Sequence, residues 1–200
     1  FYKRLAYDEI FASFLVHSEI RKKIKKIKKQ KKIFNSNHQN SILSKLDFEL
    51  TNDQKKSLNE INQDLKSNQK MFRLLQGDVG SGKTIVALTA AHNVIKSGFQ
   101  VAVMAPTEIL ARQHYVLAKK IFNNKTKIDI LSSKSEYKDK KIIEKKLINN
   151  DIDIIFGTHA IFQKKIIFNK LGLIIIDEQH KFGVNQRKKL SDKGGDNCDV

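Results

Sequence analysis

Cysteine is almost missing from this chain. Cys198 is its single representative, so no internal disulfide can form and a reducing cytoplasmic setting is expected. Proline is equally scarce, with Pro106 the only one. No apolar run approaches the roughly 18 residues that a membrane span needs, and the first residues do not form a signal peptide, so no membrane partner is expected. Arginine is rare as well: of 38 cationic residues, 33 are lysine and 5 arginine, against 21 carboxylates. The formal net charge of +17 favours an acidic polymer as partner. Abundant Ile, Asn and Phe suggest that part of the lysine excess reflects AT-biased coding rather than function.

What is present is enough for a core. Two hundred residues that are 40% hydrophobic fit one domain with an appendage, exclude wholesale disorder and leave no room for a second full domain. No internal repeat is visible. The chain begins at Phe1 and stops at Val200 in an apparent strand start, which reads as a piece of something longer.

The organisation is tripartite. Over 1–34, Leu5, Ile10, Phe11, Phe14 and Leu15, then Val16, Ile20, Ile24 and Ile27, fall at helical spacings, so one long basic amphipathic helix is expected. From Arg21 to Lys32 nine of twelve residues are cationic. The Asn- and Ser-rich stretch 35–47 reads as a linker. Over 48–200 helices and strands alternate. Leu58, Ile61 and Leu65 mark a helix and Phe72 to Gln76 a short strand. A glycine-rich turn then opens a helix from Lys83 to Lys96. A strand at Gln100 to Met104, a helix at Glu108 to Ile121, a strand at Ile128 to Leu131 and a helix at Tyr137 to Ile148 follow. Strands at Ile152 to Phe156 and Leu173 to Ile176 close the set. Strands separated by helices of this length predict an α/β fold with a parallel sheet flanked by helices.

The strongest chemical signal is Gly77-Asp78-Val79-Gly80-Ser81-Gly82-Lys83-Thr84, which fits G-x-x-x-x-G-K-[ST] between a strand and a helix. Backbone N–H groups of such a loop surround phosphate oxygens, and the positive helix end adds to the attraction. Lys83 would reach the β- and γ-phosphates, and the Thr84 hydroxyl would ligate Mg²⁺. The second signal is the apolar strand that ends in Asp177-Glu178-Gln179-His180. A carboxylate there belongs at the carboxyl edge of the sheet, beside the phosphate loop. Asp177 would hold Mg²⁺ and Glu178 would orient and deprotonate the attacking water. Each signal has a bland competitor, a glycine turn before a helix or a strand ending in a polar turn. Their joint occurrence in the right order points to a nucleotide hydrolase.

Asp-Glu-Gln-His at 177 to 180 is a DExH box and resembles the superfamily 2 helicases. Two longer strings, Met71 to Thr84 and Asp177 to Arg187, resemble the RecG-like family of DNA helicases. Ala105-Pro-Thr-Glu-Ile-Leu-Ala-Arg-Gln-His114, Gly157-Thr-His-Ala160 and Arg4-Leu-Ala-Tyr-Asp-Glu9 are similar to further segments of that family. The resemblance implies a P-loop NTPase, RecA-like motor domain over 48–200, truncated at its C-terminal end. It also implies ATP and Mg²⁺ as cofactors, and a wedge domain and a second RecA-like domain elsewhere in the same chain. A monomer acting on branched double-stranded DNA in recombination and repair is expected. A transition-state arginine would come from the second motor domain, so these residues alone would bind ATP and hydrolyse it feebly.

Residue by residue, the resemblance assigns Gln54 to the adenine base, although Thr51-x-x-Gln54 is equally a helix capping box. Pro106 and Thr107 would contact the DNA backbone, or Thr107 would simply cap a helix. Thr158 and His159 resemble a second DNA contact, against the plain reading of a solvated loop. Gln179 and His180 would couple the γ-phosphate to the neighbouring domain. Arg187 would touch DNA or that domain, with a surface salt bridge as the alternative. Two positions depart from the family: Lys181 replaces an arginine and loses planar bidentate donation, and Ser-Ser-Lys-Ser after Leu131 replaces Thr-Gly-Ser. The basic helix either lies along DNA phosphates or packs on the motor with its lysines solvated, with calmodulin-like or membrane docking as a minor third option. Rival readings are the motor of transcription-repair coupling factor, a primosomal helicase, and a nucleotide-gated nucleic-acid-binding module without motor activity.

Overall fold

A computed structural model describes residues 11, 27–122, 124–132, 137–163, 166–178 and 195–200. Helices α1 (Ser36–Leu43), α2 (Asn52–Lys66) and α3 (Lys83–Lys96) precede strand β1 (Gln100–Met104). Helix α4 (Glu108–Ile121), strand β2 (Ile128–Leu131), helix α5 (Tyr137–Ile148), strand β3 (Ile154–Gly157), a 3₁₀ turn (His159–Phe162) and strand β4 (Leu171–Ile176) follow. The sheet is parallel with strand order β2-β3-β1-β4, as expected from the alternation of helix and strand.

Side chains alternate across the strands and so divide the core in two. Val101, Val103, Ile154, Phe156 and Leu173 join the apolar faces of α1 to α4. Ala102, Ile155 and Ile174 face the opposite way, onto Ile143 and Leu147 of α5 and onto Ala160, Ile161 and Ile166. Covered on both faces, β1 and β4 read as nearly continuous apolar runs. Gln100 pins their start: its Nε2 donates to the carbonyls of Leu147 and Ile152 at 2.9 Å each, while its Oε1 accepts from the N–H groups of Asn169 and Lys170.

Three expectations need correction. The long helix over 1–34 lies largely outside the described residues, but 27–34 are not helical. Lys28 bridges Gln69 antiparallel, and buried Lys29 and Lys32 reach Asp199, so tertiary ion pairing overrides the local helical spacing. The linker over 35–47 contains α1, capped by Asn35, whose side chain accepts from His38 N–H at 3.1 Å. Its Gln39 accepts from Asn62, and Asn62 accepts from Asn93, so the helix is held by contacts that polar composition conceals. The strand expected at Phe72 to Gln76 forms no ladder among the described residues. Asp199 and Val200 lie between that segment and β4. They exchange hydrogen bonds with Gly172 and Ile174 on one side and with Met71 and Arg73 on the other.

Candidate active site

Parallel strands discharge their carboxyl ends on one edge of a sheet. Met104 of β1 stands level with Gly157 of β3 and Ile176 of β4, which brings Ala105, Thr158 and Asp177 side by side at that edge. The Asp177 N–H donates to the Met104 carbonyl at 2.8 Å, so the acid leaves the sheet directly beside β1.

The glycine-rich loop ends on α3. Gly80 and Gly82 both adopt left-handed backbone, φ +80° and +79°. Non-glycine residues enter that region only at a cost of roughly 1–2 kcal/mol. A side chain at Gly82 would also run into the Gln54 amide. Gly82 is the N-cap and supplies no capping side chain, so the first N–H groups of α3 face outward at the positive helix end. Lys83 folds over the loop, its Nζ donating to the carbonyls of Gly77 at 2.7 Å and Asp78 at 2.6 Å. Gln54 Nε2 donates to the Ser81 carbonyl at 2.9 Å while its Oε1 accepts the Thr51 N–H, and Thr51 Oγ1 accepts the Gln54 N–H. The capping box and a brace on the loop are therefore the same side chain.

Asp177 is half-buried. Its Oδ2 lies 2.8 Å from His114 Nε2, and its Oδ1 accepts the Glu178 N–H at 3.0 Å. The His114 hydrogen bond above all, with the Glu178 N–H and the nearby Lys83 charge, holds this carboxyl below its ordinary range against the opposing effect of burial. Glu178 follows in left-handed backbone, φ +49°. Oxygen donors alone, the Thr84 hydroxyl and the Asp177 carboxylate, suit a hard cation such as Mg²⁺ that keeps most of its waters. Among the described residues no cluster of three or more His, Cys, Asp or Glu side chains offers a transition-metal centre instead. Amides and an ammonium for phosphate, with oxygens for the cation, fit a metal-bound triphosphate.

The other expected residues distribute unevenly. Pro106 and exposed Thr107 follow β1 at the same edge, and the Thr107 hydroxyl accepts the Leu110 N–H at 3.3 Å as the cap of α4. Thr158 is buried, and its hydroxyl has no hydrogen-bond partner among the described residues. His159 beside it is exposed. Gln179, His180 and Arg187, like Lys181, lie outside the described residues.

Sequence reasoning quoted His114 without giving it a task. The missed contact spans 63 residues, and the one available signal was that α4 follows β1, the neighbour of β4. Also unforeseen is the Ser132 hydroxyl donating to Glu108 Oε1 at 2.7 Å, which joins the start of α4 to the residue after β2.

Residues 51–195 match the DEAD/DEAH box helicase family. The chain is 44% identical over 195 residues to the ATP-dependent DNA helicase RecG of Aquifex aeolicus (strain VF5), covering 97% of this chain and 25% of that protein. To the RecG of Staphylococcus aureus (strain NCTC 8325 / PS 47) it is 48% identical over 154 residues, 77% of this chain and 22% of the relative. A solved structure of RecG bound to a three-way DNA junction superposes with TM-score 0.81 and 42% identity, over 90% of this chain and 25% of that one. The chain therefore spans about a quarter of the length of these relatives.

Proposed function

The chain belongs to the DEAD/DEAH box helicase family, whose members use nucleotide, and we propose that it is the ATP-binding motor half of an ATP-dependent helicase or translocase acting on branched DNA. One observation carries the reading. It is the pairing of a glycine loop with left-handed backbone at Gly80 and Gly82, over which Lys83 folds at the start of α3, with a carboxylate, Asp177, that leaves the carboxyl end of β4 beside Met104 of β1.

ATP is hydrolysed to ADP and phosphate in this site. The amides from Gly77 to Thr84 cradle the phosphates, and the Lys83 ammonium exchanges its carbonyl partners at Gly77 and Asp78 for phosphate oxygens. Thr84 and Asp177 would hold Mg²⁺, which would supply neutralisation of charge on the phosphate oxygens. Glu178 accepts a proton from the water that attacks the γ-phosphorus, and the bond to the bridging oxygen breaks. Gln54 has a second amide proton and a further lone pair beyond its bonds to Ser81 and Thr51, which suits it to read adenine while bracing the loop. Pro106, Thr107, Thr158 and His159 share the carboxyl edge and form the DNA-facing side, supported by the chain's net charge of +17. Gln179 and His180, next to Glu178 in sequence, couple the nucleotide state to a second motor domain, and Arg187 contacts DNA or that domain.

Steady-state hydrolysis by the intact protein in the presence of a three-way DNA junction tests the assignment. Glu178→Gln is expected to bind ATP with wild-type affinity and to lose turnover by at least about a hundredfold, the lower range for a general base. Lys83→Ala is expected to lose both. Wild-type turnover in Glu178→Gln, or unchanged affinity and turnover in Lys83→Ala, contradicts the reading.

A further inference from the structure

His114 takes no part in the chemistry proposed above, yet it grips the carboxylate assigned to the metal. Its Nε2 lies 2.8 Å from Asp177 Oδ2, and only 12% of its side chain is exposed. With Asp177 ionised, the bond runs from the Nε2 proton to the carboxylate oxygen, which can only accept. The other oxygen, Oδ1, accepts the Glu178 N–H at 3.0 Å. Each carboxylate oxygen thus has one fixed donor, so the plane of the group is set and a lone pair on each oxygen stays available.

The support behind His114 is rigid. It sits inside the 14-residue helix α4, seven residues beyond the Thr107 cap, a distance of about 10 Å along the axis. The N-terminus of that helix is fastened a second time, through Glu108 to Ser132 at 2.7 Å. A ring used only for packing has no need of a nitrogen aimed at a charge, whereas this one directs its N–H at a carboxylate from within a helix.

We propose that His114 is a positioning residue of the nucleotide site, which holds the Asp177 carboxylate in the orientation that receives Mg²⁺ from its place on the helix behind the DNA-facing loop. The proposal rests on the reading of Asp177 as the metal carboxylate. Hydrogen-bonded partners of metal ligands typically contribute ten- to a hundredfold to metal affinity.

The test is binding of a fluorescent ADP analogue to the intact protein, titrated with Mg²⁺ and compared with binding in EDTA. His114→Leu keeps much of the volume and removes both nitrogens. It is expected to leave metal-free binding unchanged and to raise the Mg²⁺ concentration for half-saturation about tenfold or more. His114→Gln retains an N–H of similar reach and restores most of the loss. An unchanged Mg²⁺ response in His114→Leu overturns the proposal, and so does an equal loss with and without metal. Should His114→Leu not fold, the ¹⁵N-histidine spectrum of the wild type decides. The His114 Nε2–H resonance moves when Mg²⁺ joins bound nucleotide, and a resonance indifferent to Mg²⁺ overturns the proposal. Lys83→Ala separates the two readings. Undiminished nucleotide binding in that variant removes the site itself, whereas its loss beside a wild-type Mg²⁺ response in His114→Leu removes the positioning role alone.

Discussion

Gly82 carries two constraints at once: left-handed backbone, φ +79°, and a Gln54 amide where a side chain would stand. The sequence pattern named this glycine, while the reason for it comes from a residue 28 positions earlier. Cys198 and His92 show the same dependence on surroundings. Burial above all pushes the Cys198 thiol up to about 12, which leaves it inert as well as single. His92 is fully buried on α3, tilted against Phe122 with ring centroids 5.6 Å apart, and burial together with Lys96, His38 and Lys45 pushes it down to about 4. Unfolding returns His92 to its ordinary value near 6.5, so between pH 6.5 and 4 the unfolded chain binds the extra proton. Stability from this group is therefore complete above pH 6.5 and falls as acid is added, by roughly 3 kcal/mol at pH 4. Urea unfolding at pH 7 and pH 4.5 checks it. His92→Gln is expected to flatten the acid-side decline, and an identical decline in the variant contradicts the assignment.

At the scale of elements, what local spacing could reveal was revealed. The ends of α3, β1, α4, β2 and α5 fall where periodicity and caps put them, because each combines an apolar face with start or stop chemistry of its own. Elements held from afar stayed hidden. Helix α1 has little local signal and depends on the Gln39–Asn62–Asn93 chain and on buried Ile42. The segment 27–34 follows on from isoleucines at helical spacing, the last of them Ile27, yet Lys29 and Lys32 are spent on one buried carboxylate near the other end of the chain. Asp199 accepts from Lys29 Nζ at 2.6 Å, from Lys32 Nζ at 2.7 Å and from the Met71 N–H at 2.7 Å. Burial lowers the Lys29 pKa against the pull of Asp199, the mark of an ammonium that depends on its partner. Removing that partner strands two buried cations. Asp199→Ala is expected to cost about 3–5 kcal/mol in denaturant unfolding and to open 27–34 to proteolysis. A loss under about 1 kcal/mol, the range of a surface pair, contradicts this picture.

Across the whole molecule, the parallel order β2-β3-β1-β4 does the assembling. Residues at 105, 158 and 177 are far apart in sequence and meet because their strands end together at one edge. The glycine-rich loop and the acid at the end of β4 were legible beforehand as candidates because the chemistry proposed for them demands fixed residue types in fixed order. The His114 grip on Asp177 was not, since histidine on a helix has many uses and only the folded sheet brings α4 to the end of β4. The central claim, that one triphosphate–metal site spans the loop and Asp177, is tested most directly by crystals grown with a non-hydrolysable ATP analogue and Mn²⁺ in place of Mg²⁺. Anomalous scattering is expected to place the metal about 2.2 Å from Thr84 Oγ1, near the hard-cation distance, with the Asp177 carboxylate on it directly or through one water, and the phosphates within the amides of Gly77 to Thr84. A metal peak away from Asp177, or phosphates bound outside that loop, would contradict the account.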